Sequence, residues 1–85
     1  MTLFELKMRV EALLMDNPDA IVVMAKDGEG NGFSPLDDVV PGTYTAESTY
    51  SGEAGILKLT KELREHGYTE EDVKDERAIV LWPTN

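Results

Sequence analysis

Residues 20–35 read AIVVMAKDGEGNGFSP. Ala20–Ala25 is short, rich in β-branched residues and apolar on both alternating sides, which suits an inner strand covered on both faces. Glycines at alternate positions, Gly28, Gly30 and Gly32, follow among acids and interrupt any regular element. A strand feeding a glycine-rich loop places β structure in the first half of the chain. The fold question becomes what packs on that strand.

Upstream, Thr2 with Glu5 is a capping-box pattern, and Leu3, Leu6, Val10, Leu13 and Leu14 recur at helical spacing. A helix over residues 3–15 is expected, stopped by DNPD at 16–19, where Pro18 cannot continue it. Downstream, Ser34, Pro35 and Asp37 fit the start of a short helical turn over 35–38. Pro41 and Gly42 should turn the chain. TYTAES, residues 43–48, alternates like a more exposed second strand. A second helix is expected over 53–66, with Ile56, Leu59 and Leu63 inward and Gly67 as its left-handed cap. Thr69 with Asp72 caps a further short turn. AIVLW, residues 78–82, repeats the doubly apolar character of the first strand, and Pro83 ends it.

These parts describe one small α+β domain over residues 1–85, a three-stranded, mainly antiparallel sheet with two helices packed on it. The order is α-β-β-α-β with short extra turns, and the strands at 20–25 and 78–82 are expected to pair. So small a sheet leaves a face or edge uncovered, so self-association as a homo-oligomer is expected.

Composition narrows the functional classes. A chain of 85 residues hides only about 60–65% of its extended surface, so its stability margin is narrow without a partner. It has no cysteine, which excludes disulfides, thiolate metal sites and a cysteine nucleophile and fits a reducing interior. A cytoplasmic location is expected. Charges at Glu5, Lys7, Arg9 and Glu11 break up the N-terminal apolar residues, so neither an export leader nor a membrane span is expected. Seventeen acidic against eight basic residues give a formal charge of −9, which disfavours direct DNA or RNA binding. The same charge keeps a small protein soluble, or lets it imitate a polyanion and occupy a nucleic-acid-binding enzyme.

The glycine loop admits three readings. Asp27, Glu29, Asn31, Gly32 and Asp38 fall on positions one, three, five, six and twelve of a calcium loop. Against that, position twelve is normally a bidentate Glu, and a strand and a turn flank the loop where helices belong. Alternatively, a strand, a glycine loop and a turn at Ser34 could aim several backbone N–H groups at one anion. Only Lys26 is basic within the loop, so Lys58, Lys61 and Arg64, or those of a neighbouring subunit, would have to supply cations. Third, the glycines simply permit an irregular connection. Phe33 either anchors the loop in the core, the expected role, or offers a ring to a ligand.

Other residues invite bland readings first. His66, the one histidine, sits where the second helix should end and suits a capping role. Trp82 and Tyr68 read as packing residues, whereas Tyr44 and Tyr50 could stack on a planar base, Tyr50 being the ring expected in solvent. Lys58 and Lys61 precede Glu62 and Glu65 by four, as on a solvated helix face. With one histidine, no cysteine and no serine in a nucleophile setting, no catalysis is expected, and no cofactor.

KDGEGNGFSPLDDV, YTAESTYSGE, GYTEEDV and the terminal AIVLWPTN resemble a group of small acidic accessory proteins of tailed bacteriophages. The resemblance covers most of the chain from Asp19 onward and lies chiefly in the GNGFSPL loop and the LWP ending. It implies a phage origin and the host bacterial cytoplasm more firmly than an activity. Phages make small oligomeric proteins of this size that capture cyclic or ADP-ribose-derived nucleotide signals of bacterial defence. The expectation is therefore an anti-defence sponge that sequesters a nucleotide without cleaving it. In that expectation Lys26, Gly30, Asn31, Gly32, Phe33 and Ser34 hold phosphate, Tyr44 or Tyr50 meets the base, and Lys58, Lys61 and Arg64 supply positive charge. These residues come from their own chemistry and not from the resemblance. The competing expectation is an acidic inhibitor that blocks a host enzyme; a calcium-binding loop protein is the third.

Overall fold

The structure, a computed structural model, describes residues 1–84. Its elements are helix α1 (Leu3–Leu14), strands β1 (Val23–Ala25), β2 (Phe33–Ala46) and β3 (Gly52–Gly55), helix α2 (Lys61–Glu65), a 3₁₀ turn (Glu70–Asp72) and strand β4 (Glu76–Pro83). They form a small α+β fold with two helices and an open antiparallel sheet of four strands, in which β2 pairs with β1, β3 and β4. The chain divides into two compact units, one of Met1–Leu36 with the segment from Pro83, the other Asp37–Trp82.

In the first unit, α1 starts as its sequence dictates. The Thr2 hydroxyl accepts from the Glu5 N–H at 3.1 Å and bonds the Glu5 carboxylate at 3.2 Å. The helix closes where the Asn17 side-chain amide donates to the Leu13 carbonyl at 2.9 Å, satisfying a terminal acceptor just before Pro18. β1 pairs Val23, Met24 and Ala25 with Pro35, Ser34 and Phe33. Ser34 is 1% exposed, and its hydroxyl shares a 3.3 Å hydrogen bond with that of Thr84. Pro35 lacks an N–H, but its carbonyl accepts from the Thr84 N–H at 3.0 Å.

The second unit is built around a polar node. β2 and β3 pair Thr43 with Gly55 and Ala46 with Gly52. Thr43, 4% exposed, donates its hydroxyl to the Ile56 carbonyl and accepts the Lys74 N–H, both at 2.8 Å. The Ile56 N–H donates to the Asp72 carbonyl at 2.9 Å, and the Lys74 ammonium reaches the Glu53 carboxylate at 3.1 Å. Hydroxyls and close backbone approaches thus tie β2, β3 and the 3₁₀ turn together. Among the described residues no hydrophobic side chain is buried.

Several expectations are corrected. The strand at 20–25 does not pair with the one at 78–82; β1 and β4 both pair with β2. Neither is covered on both faces, since Val23, Ile79, Leu81 and Trp82 are all exposed. The turn expected over 35–38 lies inside β2, as does the turn expected at Pro41–Gly42. There the Ser34 hydroxyl is engaged by Thr84 and Asp37 lies within the strand, so neither caps a helix. The helix expected over 53–66 is strand β3 followed by α2 alone. Gly55 weighs against that helix, costing it about 1 kcal/mol relative to alanine. Thr60, whose hydroxyl accepts the Leu63 N–H at 3.2 Å, sets the later start.

Candidate functional site

The glycine loop forms around Asp27. One carboxylate oxygen accepts the N–H groups of Glu29 at 2.9 Å and Asn31 at 3.3 Å, and the other accepts the Asn31 side-chain amide at 3.1 Å. The Asp27 carbonyl takes the Gly30 N–H at 3.3 Å, and the Lys26 N–H donates to the Gly32 carbonyl at 2.9 Å. Gly30 adopts φ of 74°, the one place in the loop that requires glycine's left-handed freedom. The loop does curl its amides inward, but onto the protein's own carboxylate.

Several donors of the expected phosphate cradle are thus taken up within the chain itself. The Gly30 N–H and both Asn31 donors are engaged, and the buried Ser34 hydroxyl faces Thr84. Phe33 does not anchor the loop in a core. It is 63% exposed and its Cζ stands 3.7 Å from where a side chain on Gly30 would begin. The Lys26 stem lies similarly over Gly32. The calcium alternative finds no support in this geometry, because the Asp27 oxygens receive hydrogen bonds and Asp38 sits in β2. Among the described residues no group of three or more acidic or histidine side chains is placed to hold a metal.

The Asn31 side chain, then the Asn31 backbone N–H, hold the Asp27 carboxyl below its ordinary value, with the Glu29 and Gly30 N–H groups adding to them and the little desolvation opposing. A carboxyl lowered on folding stabilises the loop above its unfolded pKa, near 4, and releases it as pH falls through the lower folded value. The amide resonances of Glu29 and Asn31 are therefore expected to hold position from pH 7 to about 4 and then move together on further acidification. In Asp27→Ala the two amides should already sit at the acid position at pH 7. Amides that titrate identically in both proteins would refute the arrangement.

The other expected contact residues lie in the second unit. Tyr50 tips the turn between β2 and β3, where the Ser48 and Ser51 hydroxyls bond at 2.8 Å, and it is 91% exposed as expected. Tyr44 is half-buried beside Gly52. Lys58 precedes α2, and Lys61 opens it. Arg64 alone of the expected cations enters a described hollow, an open one lined by Arg64, Gly67, Tyr68, Thr69, Glu70 and Glu71. The loop residues and these cations belong to different units.

That hollow follows from the chain reversal after α2. The Gly67 N–H donates to the Arg64 carbonyl and the Tyr68 N–H to the Leu63 carbonyl, both at 3.1 Å, with Gly67 at φ of 97°. Thr69 then starts the 3₁₀ turn: its N–H donates to the Asp72 carboxylate at 2.7 Å, and its hydroxyl accepts the Glu71 N–H at 3.3 Å. His66 ends α2, matching the capping position expected of it. The result brings Arg64, Tyr68, Thr69, Glu70 and Glu71 to the lining of one open depression. Tyr68, read from sequence as packing, lines this hollow, and the signal that points to it is the Gly-Tyr-Thr reversal after a helix. Compared with protein-family models, curated proteins and solved structures, the chain matches none.

Proposed function

We propose that this chain is a phage-type accessory protein that works without chemistry in the host bacterial cytoplasm. In this proposal it sequesters a nucleotide signal stoichiometrically, as a homo-oligomer, at the Arg64–Tyr68 hollow in place of the glycine loop. The observation that carries the reading is the pairing in one open depression of a cation with a ring, the two groups a phosphate-bearing planar ligand needs. The Thr69 hydroxyl adds a donor. Glu70 and Glu71 oppose the phosphate, so the ligand's charge must be low or offset by cations of another copy.

A thermal-shift screen against cyclic dinucleotides, cyclic trinucleotides and ADP-ribose isomers tests this. A cognate nucleotide at a hundred times its Kd should stabilise the protein by about 2.7 kcal/mol. Arg64→Ala and Tyr68→Ala should each weaken its binding by about tenfold or more, and their unliganded melting should stay near that of the parent, since both side chains are exposed. Binding left intact in both variants would remove the site.

The acidic inhibitor is the second reading, favoured by the −9 charge and by Glu70 and Glu71 at the hollow's rim. Silence towards every nucleotide, with salt-sensitive capture of a nucleic-acid-binding enzyme from bacterial lysate, would favour it instead.

A further inference from the structure

We infer that Asn31 is a spontaneous modification site: the Gly32 nitrogen displaces its side-chain amide, and the aspartate or isoaspartate left behind opens the loop that closes on Asp27. This goes beyond the proposed function and rests on the glycine loop alone.

The attack needs a backbone N–H that can give up its proton, a following residue without a side chain to crowd the approach, and water at the amide. Asn31 is exposed and is followed by glycine, which has no Cβ. Among the described residues the Gly32 N–H donates to no acceptor, although the Gly32 carbonyl accepts the Lys26 N–H at 2.9 Å. Residues 26–32 lie outside every helix and strand, with Gly30 on the other side of Asn31, so the backbone has freedom to bring the nitrogen onto the side chain. Asn17 lacks this route, because it precedes Pro18, whose nitrogen has no proton to lose. Asp27 also precedes a glycine, but its carboxyl is held ionised chiefly by the Asn31 side chain, and a carboxylate resists attack by a nucleophile.

The step balances with water as the only co-reactant. The Gly32 nitrogen gives its proton to water and bonds to the Asn31 Cγ; the Cγ–Nδ2 bond breaks, and the nitrogen takes up a proton and leaves as ammonia. The cyclic imide then adds one water at either carbonyl. Opening on one side leaves aspartate, and opening on the other leaves isoaspartate, with the backbone rerouted through the former side chain. The net change is one water taken up and one ammonia released. Its consequence falls on Asp27, which accepts the Asn31 side-chain amide at 3.1 Å and the Asn31 N–H at 3.3 Å. Aspartate puts a carboxylate where that amide donor stood, and two anions so close repel. Isoaspartate removes the same donor and adds a methylene group to the backbone between Lys26 and Gly32, whose 2.9 Å bond closes the loop beside the Ala25–Phe33 pair.

Ageing the whole chain in mildly alkaline buffer, without any nucleotide, tests this. Peptide mapping of the parent should find conversion at Asn31 and none at Asn17, with the isoaspartate detected by methyl transfer from a protein isoaspartate methyltransferase. Gly32→Ala should slow the conversion at least about tenfold, because its Cβ crowds the attacking nitrogen. The loop itself should survive that change, since Gly32 is not in the left-handed region and its Cβ would meet only the flexible Lys26 stem, at 3.3 Å. Asn31→Asp supplies one product directly. In that variant, and in the aged form isolated by anion exchange, the Lys26 amide should exchange with solvent about tenfold faster than in the parent. A parent that keeps Asn31 through ageing, Gly32→Ala converting as fast as the parent, or a Lys26 amide equally protected in parent and product would each overturn the proposal.

Discussion

Replacing Gly55 with alanine is expected to cost about 3 kcal/mol, a large fraction of the roughly 4–13 kcal/mol expected for a chain of 85 residues. A Cβ at Gly55 would collide with the Asp72 carbonyl oxygen and approach the Lys74 Cγ to 2.9 Å. The first obstacle is backbone, and it cannot swing aside as a side chain would. That carbonyl also receives the Ile56 N–H at 2.9 Å, so relieving the clash breaks the hydrogen bond that holds the 3₁₀ turn to the end of β3. Gly28→Ala is the control, because nothing lies within 4 Å of its Cβ position and its φ is not in the left-handed region. Urea denaturation at fixed protein concentration should separate the two variants clearly. Equal midpoints would mean that Gly55 is only a flexible joint.

Gly55 also shows why the middle of the chain was misread from sequence. Ile56, Leu59 and Leu63 have helical spacing, and that periodicity outweighed the two glycines just before it. In the structure those glycines serve the close approach of β3 to its neighbours, which a linear pattern does not encode. Local signals fared better: Thr2 with Glu5, Thr69 with Asp72 and Gly67 all occupy the capping positions their chemistry suggests. Each acts over three or four residues, within reach of sequence logic. Strand pairing is non-local, and Ala20–Ala25 and Ala78–Trp82 carry the same apolar signature whether they meet each other or, as here, a common strand. The assumption that apolar strands must be inner also failed, since among the described residues the buried side chains are those of Ser34 and Thr43. At the candidate site, Arg64 was legible as a cation, but the closure of the glycine loop on the Asp27 carboxylate was not, because a linear pattern does not show which acceptor the loop amides reach.

Thr43→Val should destabilise the protein by about 3 kcal/mol although the two side chains have nearly the same shape. The Thr43 hydroxyl is the single group that satisfies the Ile56 carbonyl and the Lys74 N–H together. Valine leaves a donor and an acceptor without a partner at a position that is 4% exposed, where water does not readily replace the lost bonds. Two companions separate this from loss of packing. Thr43→Ser keeps the hydroxyl and loses one methyl group, for about 0.8 kcal/mol. Thr45→Val removes a similar but single bond, the 3.1 Å acceptance of the Asp75 N–H at a more exposed site, and should cost less than about 1 kcal/mol. Hydrogen exchange at the Lys74 amide gives the local readout, with protection lost in Thr43→Val and kept in Thr43→Ser. If valine proves as stable as serine, the node does not hold the unit together.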